Sequence, residues 1–236
     1  MKVVSRSLYN MDKEQIQAAV SKAKDTSEKR NFRQSFDLII NLKGLDLKKQ
    51  EHQIDAFITL PHARGKKVRV CALVGAELES QAKGIFDSVI LSDNFEKYKE
   101  KKDVRKVANS FDFFVAQANM MPKVATTFGR VFGPRGKMPN PKSGAIVPPN
   151  ANLKPLYEKL QRTIRANAKT APSIQCPIGT EEMDINDVTE NALTVYNSII
   201  HILPNEKHNI RDVYVKLTMG RPVKVGEKLE IEKETK

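Results

Sequence analysis

The run VRVCALVG at residues 68–75 is apolar at almost every position, and no other stretch narrows the choice of fold so far. A strand with one face in water alternates apolar and polar side chains. A strand that does not alternate must be covered on both faces, and helices on either side of a parallel sheet are the usual cover. The segments that follow keep this rhythm. AELESQAKG reads as a short helix, DSVIL as a strand, NFEKYKEKKDVRKVAN as a helix, FDFFVAQ as a strand and MPKVATTFG as a helix. Strand and helix in succession predict a small parallel sheet in an α/β domain.

The two flanks are built differently. DKEQIQAAVSKAKD spaces Ile16, Ala19, Val20 and Ala23 along one face of a helix. SFDLIINL alternates, with Phe36, Leu38, Ile40 and Leu42 on one side, and IDAFITLP reads as a second strand stopped by Pro61. The polar connection between them suggests an antiparallel pair. On the far flank, NLKPLYEKLQRTIRANAK reads as one helix striped by Leu153, Leu156, Leu160 and Ile164. SIQCPIG reads as a strand, and DINDVTENALTVYNSIIHIL as a long helix with Asp184 as N-cap. IRDVYVKLTMG is a strand with Val213 and Val215 inward, and PVKV extends it. The expected fold is thus α/β and α+β in two domains. An outer α+β domain is formed by both chain ends (residues 1–65 and 153–236), and a three-layer, Rossmann-like α/β domain (residues 66–152) is inserted in it. The crossings fall near HARGKK and VPPNANLKP, and a double linker of this kind acts as a hinge that limits motion to opening and closing.

The chain carries 40 Lys and Arg against 28 Asp and Glu, a net charge of +12, and the excess is segregated. No acid occurs from Phe113 to Tyr157, or from Lys159 to Thr180. A solvated face normally mixes its signs, so the segregation points to a polyanionic partner, nucleic acid first. No segment approaches the ~20 apolar residues of a membrane-spanning helix, and MKVVSRSLYNMDKEQ is too polar for a signal peptide. A cytoplasmic protein without a membrane partner is expected. Cys71 and Cys176 lie far apart in strand-like runs and read as small core residues.

Catalytic and cofactor patterns do not emerge. The pair Gly136-Lys137 lacks the glycine five residues earlier, where Val131 stands, and the following Ser or Thr, where Met138 stands, so it is no phosphate-binding P-loop. The first strand of the inserted domain runs into GAELES, with one glycine, so a dinucleotide fingerprint is absent. His52, His62, His201 and His208 have no metal-ligand spacing. No enzyme activity, no metal and no cofactor are expected.

Three stretches do suit RNA. The run FGRVFGPRGKMPNPKSGAIVPPN, residues 128–150, holds four glycines, five prolines and the cations Arg130, Arg135, Lys137 and Lys142, without an acid. It reads as a stiff loop able to approach phosphate closely. KRNFRQSFDL sets Lys29, Arg30 and Arg33 around Phe32 at the lip of a strand, a combination of cation and flat apolar surface that fits phosphate and base. YVKLTMGRPVKV closes a strand with Thr218-Met219-Gly220, a hydroxyl, a soft side chain and bare backbone that can meet a ribose. A general single-strand binder would carry more stacking aromatics than the 6% present.

Together with LPHARGKKVRV, these stretches closely resemble, in order and over nearly the whole chain, the large-subunit ribosomal protein L-one family, in its archaeal type. The resemblance implies a two-domain protein of the ribosome that binds the ribosomal RNA stalk beside the exit path of deacylated tRNA. It also implies a repressor of translation that binds its own messenger RNA. The alternative is a general RNA-binding regulator without stable ribosome association. Carried over by motif, the RNA-binding residues are Phe32, Arg33, Ser35, Asp37, Arg165, Lys169, Lys216, Thr218, Met219 and Gly220. Arg130, Arg135, Lys137 and Lys142 are secondary contacts. Asn31 and Gln34 stand where relatives vary. Asp37 would repel phosphate, so it should face sugar or base edges, or orient a neighbouring cation.

Overall fold

The computed structural model describes residues 12–98 and 100–226. In chain order its elements are α1 (Lys13–Asp25), β1 (Ser35–Leu42), β2 (Ile54–Thr59), β3 (Val70–Val74), α2 (Glu79–Lys83), β4 (Ser88–Leu91), α3 (Lys101–Ser110), β5 (Phe113–Gln117) and α4 (Met121–Phe132). There follow β6 (Ile146–Val147), α5 (Leu153–Arg162), β7 (Thr163–Ala168), β8 (Ser173–Thr180), α6 (Ile185–Ile202), β9 (Ile210–Leu217) and β10 (Val223–Lys224). The chain divides into two compact units, one of Met1–Lys66 with Ile164–Lys236, the other of Lys67–Thr163.

The second unit shows why its first strand cannot alternate. All five residues of β3 are buried, and they part between two cores. Cys71 and Leu73 pack with Val104 and Ala108 of α3 and with Val124, Phe128 and Phe132 of α4. Val70, Ala72 and Val74 pack with Ala82 of α2 and with Leu153 and Leu160 of α5. The sheet is parallel throughout, in the order β4-β3-β5-β6. The α/β class with a small parallel sheet between helical layers is therefore the one observed.

Two expectations need correction here. The segment read as one helix from Asn152 to Lys169 stops at Arg162 and continues as β7. The Thr163 hydroxyl donates to the Lys159 carbonyl at 2.8 Å, closing the last turn. Beyond it Thr163, Ile164, Ala166 and Ala168 are buried in extended chain. Pairing with β2 supplies what the weak helix preference of Thr and Ile does not. Leu153 and Leu160 are both fully buried against the parallel sheet, so α5 belongs to the second unit. That unit runs to Thr163 instead of ending at residue 152. The second correction concerns IDAFITLP. β2 pairs with β7 in a separate two-stranded ladder, while β1 takes β8 and β9 as its neighbours. β1, β8 and β9 are each eight residues long, and their inward residues fall opposite one another, a match the six-residue β2 does not offer.

In the first unit the antiparallel order is β10-β9-β1-β8. Phe36, Leu38, Ile40 and Leu42 of β1 and Val213, Val215 and Leu217 of β9 share one core with Ile16 and Val20 of α1 and with Val188, Ala192, Val195 and Ile199 of α6. Both helices cover the same face. The side chain of Asp184 caps α6, accepting from the Asn186 amide. Cys71 and Cys176 are both buried and free, and burial pushes each thiol up to about 12.

Candidate nucleic-acid interface

The N-terminal end of β1 gathers most of the residues singled out by sequence. The β1–β8 register shifts between Phe36, opposite Gly179, and Asp37, opposite Pro177. Pro177 has no amide to give the ladder, so a bulge here costs little. Above the bulge β1 turns into the segment carrying Arg33 and Phe32, and on its other side β9 ends in the turn 218–220. Phe32 is 50% exposed and Met219 61% exposed, two of the three large apolar side chains that the described residues leave open to solvent. They flank one point of the fold. Met219 N donates to the Gln34 side chain at 3.1 Å, and Phe32 lies two residues before Gln34.

Charges surround this point. Arg33 Nε pairs with Glu182 at 2.9 Å, both side chains being more than half exposed. A pair in open solvent is weak, so Arg33 can exchange Glu182 for a phosphate at small cost. Asp37 stands opposite Lys216 across β1–β9. Burial raises the Asp37 carboxyl while the Lys216 ammonium pulls it down. Lys216 Nζ also donates to the Thr218 carbonyl at 3.1 Å.

Thr218 and Gly220 have partners within the protein that sequence did not reveal. The Thr218 hydroxyl accepts from Ser35 N at 3.0 Å and donates to Ser35 O at 3.3 Å. A side chain thereby adds one further rung to the β1–β9 ladder. Thr218 is exposed, yet its hydroxyl is already engaged. Its proton is committed to Ser35, and one oxygen lone pair is left, so towards RNA it can only accept. A Cβ on Gly220 would meet Ser27 Oγ at 2.2 Å. The glycine therefore makes room first for Ser27, whose hydroxyl donates to the Ala23 carbonyl at 2.7 Å.

Arg165 and Lys169 lie on the β2–β7 side of the unit. Arg165 donates to both oxygens of Asp55, at 2.7 and 2.8 Å, and Lys169 joins it at 2.7 Å. These bonds, the Arg165 one first, hold the Asp55 carboxyl down at about 2 despite partial burial. Two cations share one acid here, with the Arg165 guanidinium 5.6 Å from the Phe57 ring centre. β7 belongs to the β2–β7 ladder and not to the sheet that holds β1 and β9. Asp55 had no signal in sequence beyond being an acid in a strand.

In the second unit the stiff loop is partly helix and partly clamp. Phe128 and Phe132 are buried residues of α4. Lys137 Nζ donates to the carbonyls of Ala108 at 2.7 Å and Phe111 at 2.6 Å, and Arg135 donates to the Asn109 side chain. Both cations thus tie the loop to the C-terminal end of α3, where the helix dipole favours positive charge. Gly136 and Gly144 have φ of 63° and 75°, values that favour glycine. Arg130 lines a shallow cleft with Lys123, Thr126, Tyr98 and Phe95, and Lys142 is exposed. Replacing Lys137 with Met is expected to cost about 1–2 kcal/mol, because two carbonyls lose a charged donor. Thermal unfolding should register a drop of several degrees, with RNA affinity per folded molecule unchanged. An unmoved melting curve would show that the clamp contributes nothing.

At the C-terminal ends of β3 and β5, where doubly wound sheets bind ligands, the buried Gln117 side chain accepts from Gly75 N at 2.9 Å and donates to Glu77 at 3.0 Å. A protein side chain occupies that position. Among the described residues no group of three or more His, Cys, Asp or Glu is arranged to hold a metal. No helix among them is long and apolar enough to cross a membrane.

The family described as Ribosomal protein L1p/L10e matches residues 21–221. The Large ribosomal subunit protein uL1 of Methanothermococcus thermolithotrophicus is 41% identical over 216 residues, covering 91% of this chain and 99% of that protein. Its namesake in Nanoarchaeum equitans is 45% identical over 210 residues, with 87% and 97% covered. That of Methanocaldococcus jannaschii is 39% identical over 216 residues, with 91% and 96% covered.

Proposed function

We propose a function on the premise that this chain belongs to the ribosomal protein L1p/L10e family: it is a structural, non-enzymatic protein of the large ribosomal subunit, placed with the ribosome in the cytoplasm, that binds the subunit's RNA. The finer reading is that it holds the RNA stalk with the lip of β1 and the turn after β9. Phe32 and Met219 offer a flat and a soft apolar surface. Arg33 and Lys216 supply charge, Ser35, Asp37 and the remaining lone pair of Thr218 face sugar and base edges, and Gly220 keeps the turn tight. Arg165 and Lys169 add phosphate contacts and carry a net single charge after Asp55. The observation that supports this most is that Phe32 and Met219, half or more exposed, sit on either side of one buried glutamine.

The reading extends to three further partners. A surface that takes the stalk takes any RNA of the same shape, so a stalk-like structure in the protein's own messenger would be bound and its translation repressed. The cations of the second unit left exposed, Arg130 and Lys142 foremost, would meet deacylated tRNA at the exit site or the rest of the subunit. Lys137 is spent on the end of α3, while the exposed Arg135, with one donor on Asn109, has further donors to offer those contacts.

The test divides the chain where it divides itself. Residues 1–66 joined to 164–236 by a short Gly-Ser linker should fold, by circular dichroism, and keep stalk-RNA affinity within roughly tenfold of the whole chain. Filter binding against random RNA at two salt concentrations separates specific recognition from charge alone. A folded first unit without preference for stalk RNA would overturn the assignment.

A further inference from the structure

Gln34 is 1% exposed, although Asn31, Phe32 and Arg33 just before it are exposed. A buried amide costs free energy unless it is hydrogen-bonded, and here the side-chain oxygen, the side-chain nitrogen and both backbone groups each have a partner. The side-chain oxygen accepts from Met219 N at 3.1 Å. The side-chain nitrogen donates to the Glu28 carbonyl at 3.2 Å. Gln34 N donates to the Glu181 carboxylate at 3.1 Å, and Gln34 O accepts from Glu181 N at 3.1 Å. One residue thus joins three segments distant in sequence: the approach to Phe32, the turn after β9, and the end of β8 that leads to Glu182, the partner of Arg33.

We propose that Gln34 is the positioning residue of the RNA interface. Its two side-chain bonds hold the segment before Phe32 and the turn bearing Met219 at fixed places, so that both apolar side chains are set before RNA arrives. The inference rests on the reading of the interface given above. The physical basis is preorganisation. A turn of three residues and a lip of four, left to sample other conformers, would have to be ordered on binding, and that entropy is taken from the affinity. The Thr218–Ser35 bonds tie the base of the turn to β1, but among the described hydrogen bonds Gln34 alone joins Met219 to the segment before Phe32. Gln34 itself touches no RNA, being covered by the groups it holds.

Gln34→Met keeps length and volume and removes both side-chain bonds. Measured with a stalk fragment of large-subunit ribosomal RNA, it should weaken binding per folded molecule roughly tenfold and speed hydrogen exchange at the Met219 amide. Gln34→Glu keeps the acceptor for Met219 N and should recover part of the lost affinity. Phe32→Ala and Met219→Ala serve as controls on the interface. If both controls lose affinity while Gln34→Met exchanges faster at Met219 but binds as tightly as the parent, the positioning role is wrong and the interface stands. If neither control loses affinity, the interface is misplaced and the inference goes with it.

Discussion

Phe32→Ala should lower affinity for stalk RNA on the order of 10- to 100-fold, since a base stacked on an aromatic ring contributes about 1–3 kcal/mol. Its melting temperature should stay within about a degree of the parent's, because an exposed side chain outside the core has little folded-state contact to lose. Phe32 is half exposed, whereas Phe36, four residues on, is 1% exposed and packs against α1 and α6. Phe36→Ala is thus the informative contrast. It should lower stability by about 3–5 kcal/mol, with affinity falling only as the folded fraction falls. Titrating both variants with the same RNA, alongside their melting curves, separates recognition from packing. A Phe32→Ala protein that binds as the parent does would remove the aromatic from the interface.

A second large effect on stability is expected at Gly65→Ala. Gly65 has φ of +76°, and a Cβ there would lie 2.3 Å from Thr180 Oγ1, 2.9 Å from its Cγ2 and 3.1 Å from its Cβ. Thr180 is 3% exposed and cannot swing away into solvent. The left-handed backbone costs ~1–2 kcal/mol for a residue with a Cβ, and overpacking adds ~1–3 kcal/mol. A loss of roughly 3 kcal/mol in the first unit corresponds to a fall in melting temperature on the order of 10 °C. Adding Thr180→Ala removes two of the three close atoms and should restore about half of the loss, leaving the backbone part. If the double variant is no more stable than the single, the steric account fails.

The parts of this fold that could be read ahead of the structure are those written in side-chain period. VRVCALVG could be buried on two faces because every position but Arg69 lacks a polar side chain, and its side chains do part between two cores. SFDLIINL alternates at every position but Ile39, so its inward set was fixed before its neighbours were known. The Asp184 cap was legible for the same local reason. The unreadable parts turn on competition between local preference and distant partners. The stretch from Thr163 to Ala168 is short, with a period that fits a helix or a strand, and only the β2 ladder decides between them.

At the proposed interface the same division holds. Residue types marked Phe32, Arg33, Thr218, Met219 and Gly220 as a set, since aromatic, cation, hydroxyl and bare backbone are what RNA contact uses. Chemistry per residue also marked Arg135 and Lys137, yet a charge in sequence carries no information on whether a helix end already holds it, and these two are held by α3. Gln34 shows the limit most plainly. Its amide is an ordinary polar group until three segments, up to 185 positions away from it, close around it. Period and residue type, being local, determined the two kinds of sheet and the chemistry offered at the lip of β1. Which groups are spent inside the protein and which remain for RNA was decided by long-range hydrogen bonds, and those exist only once the chain is folded.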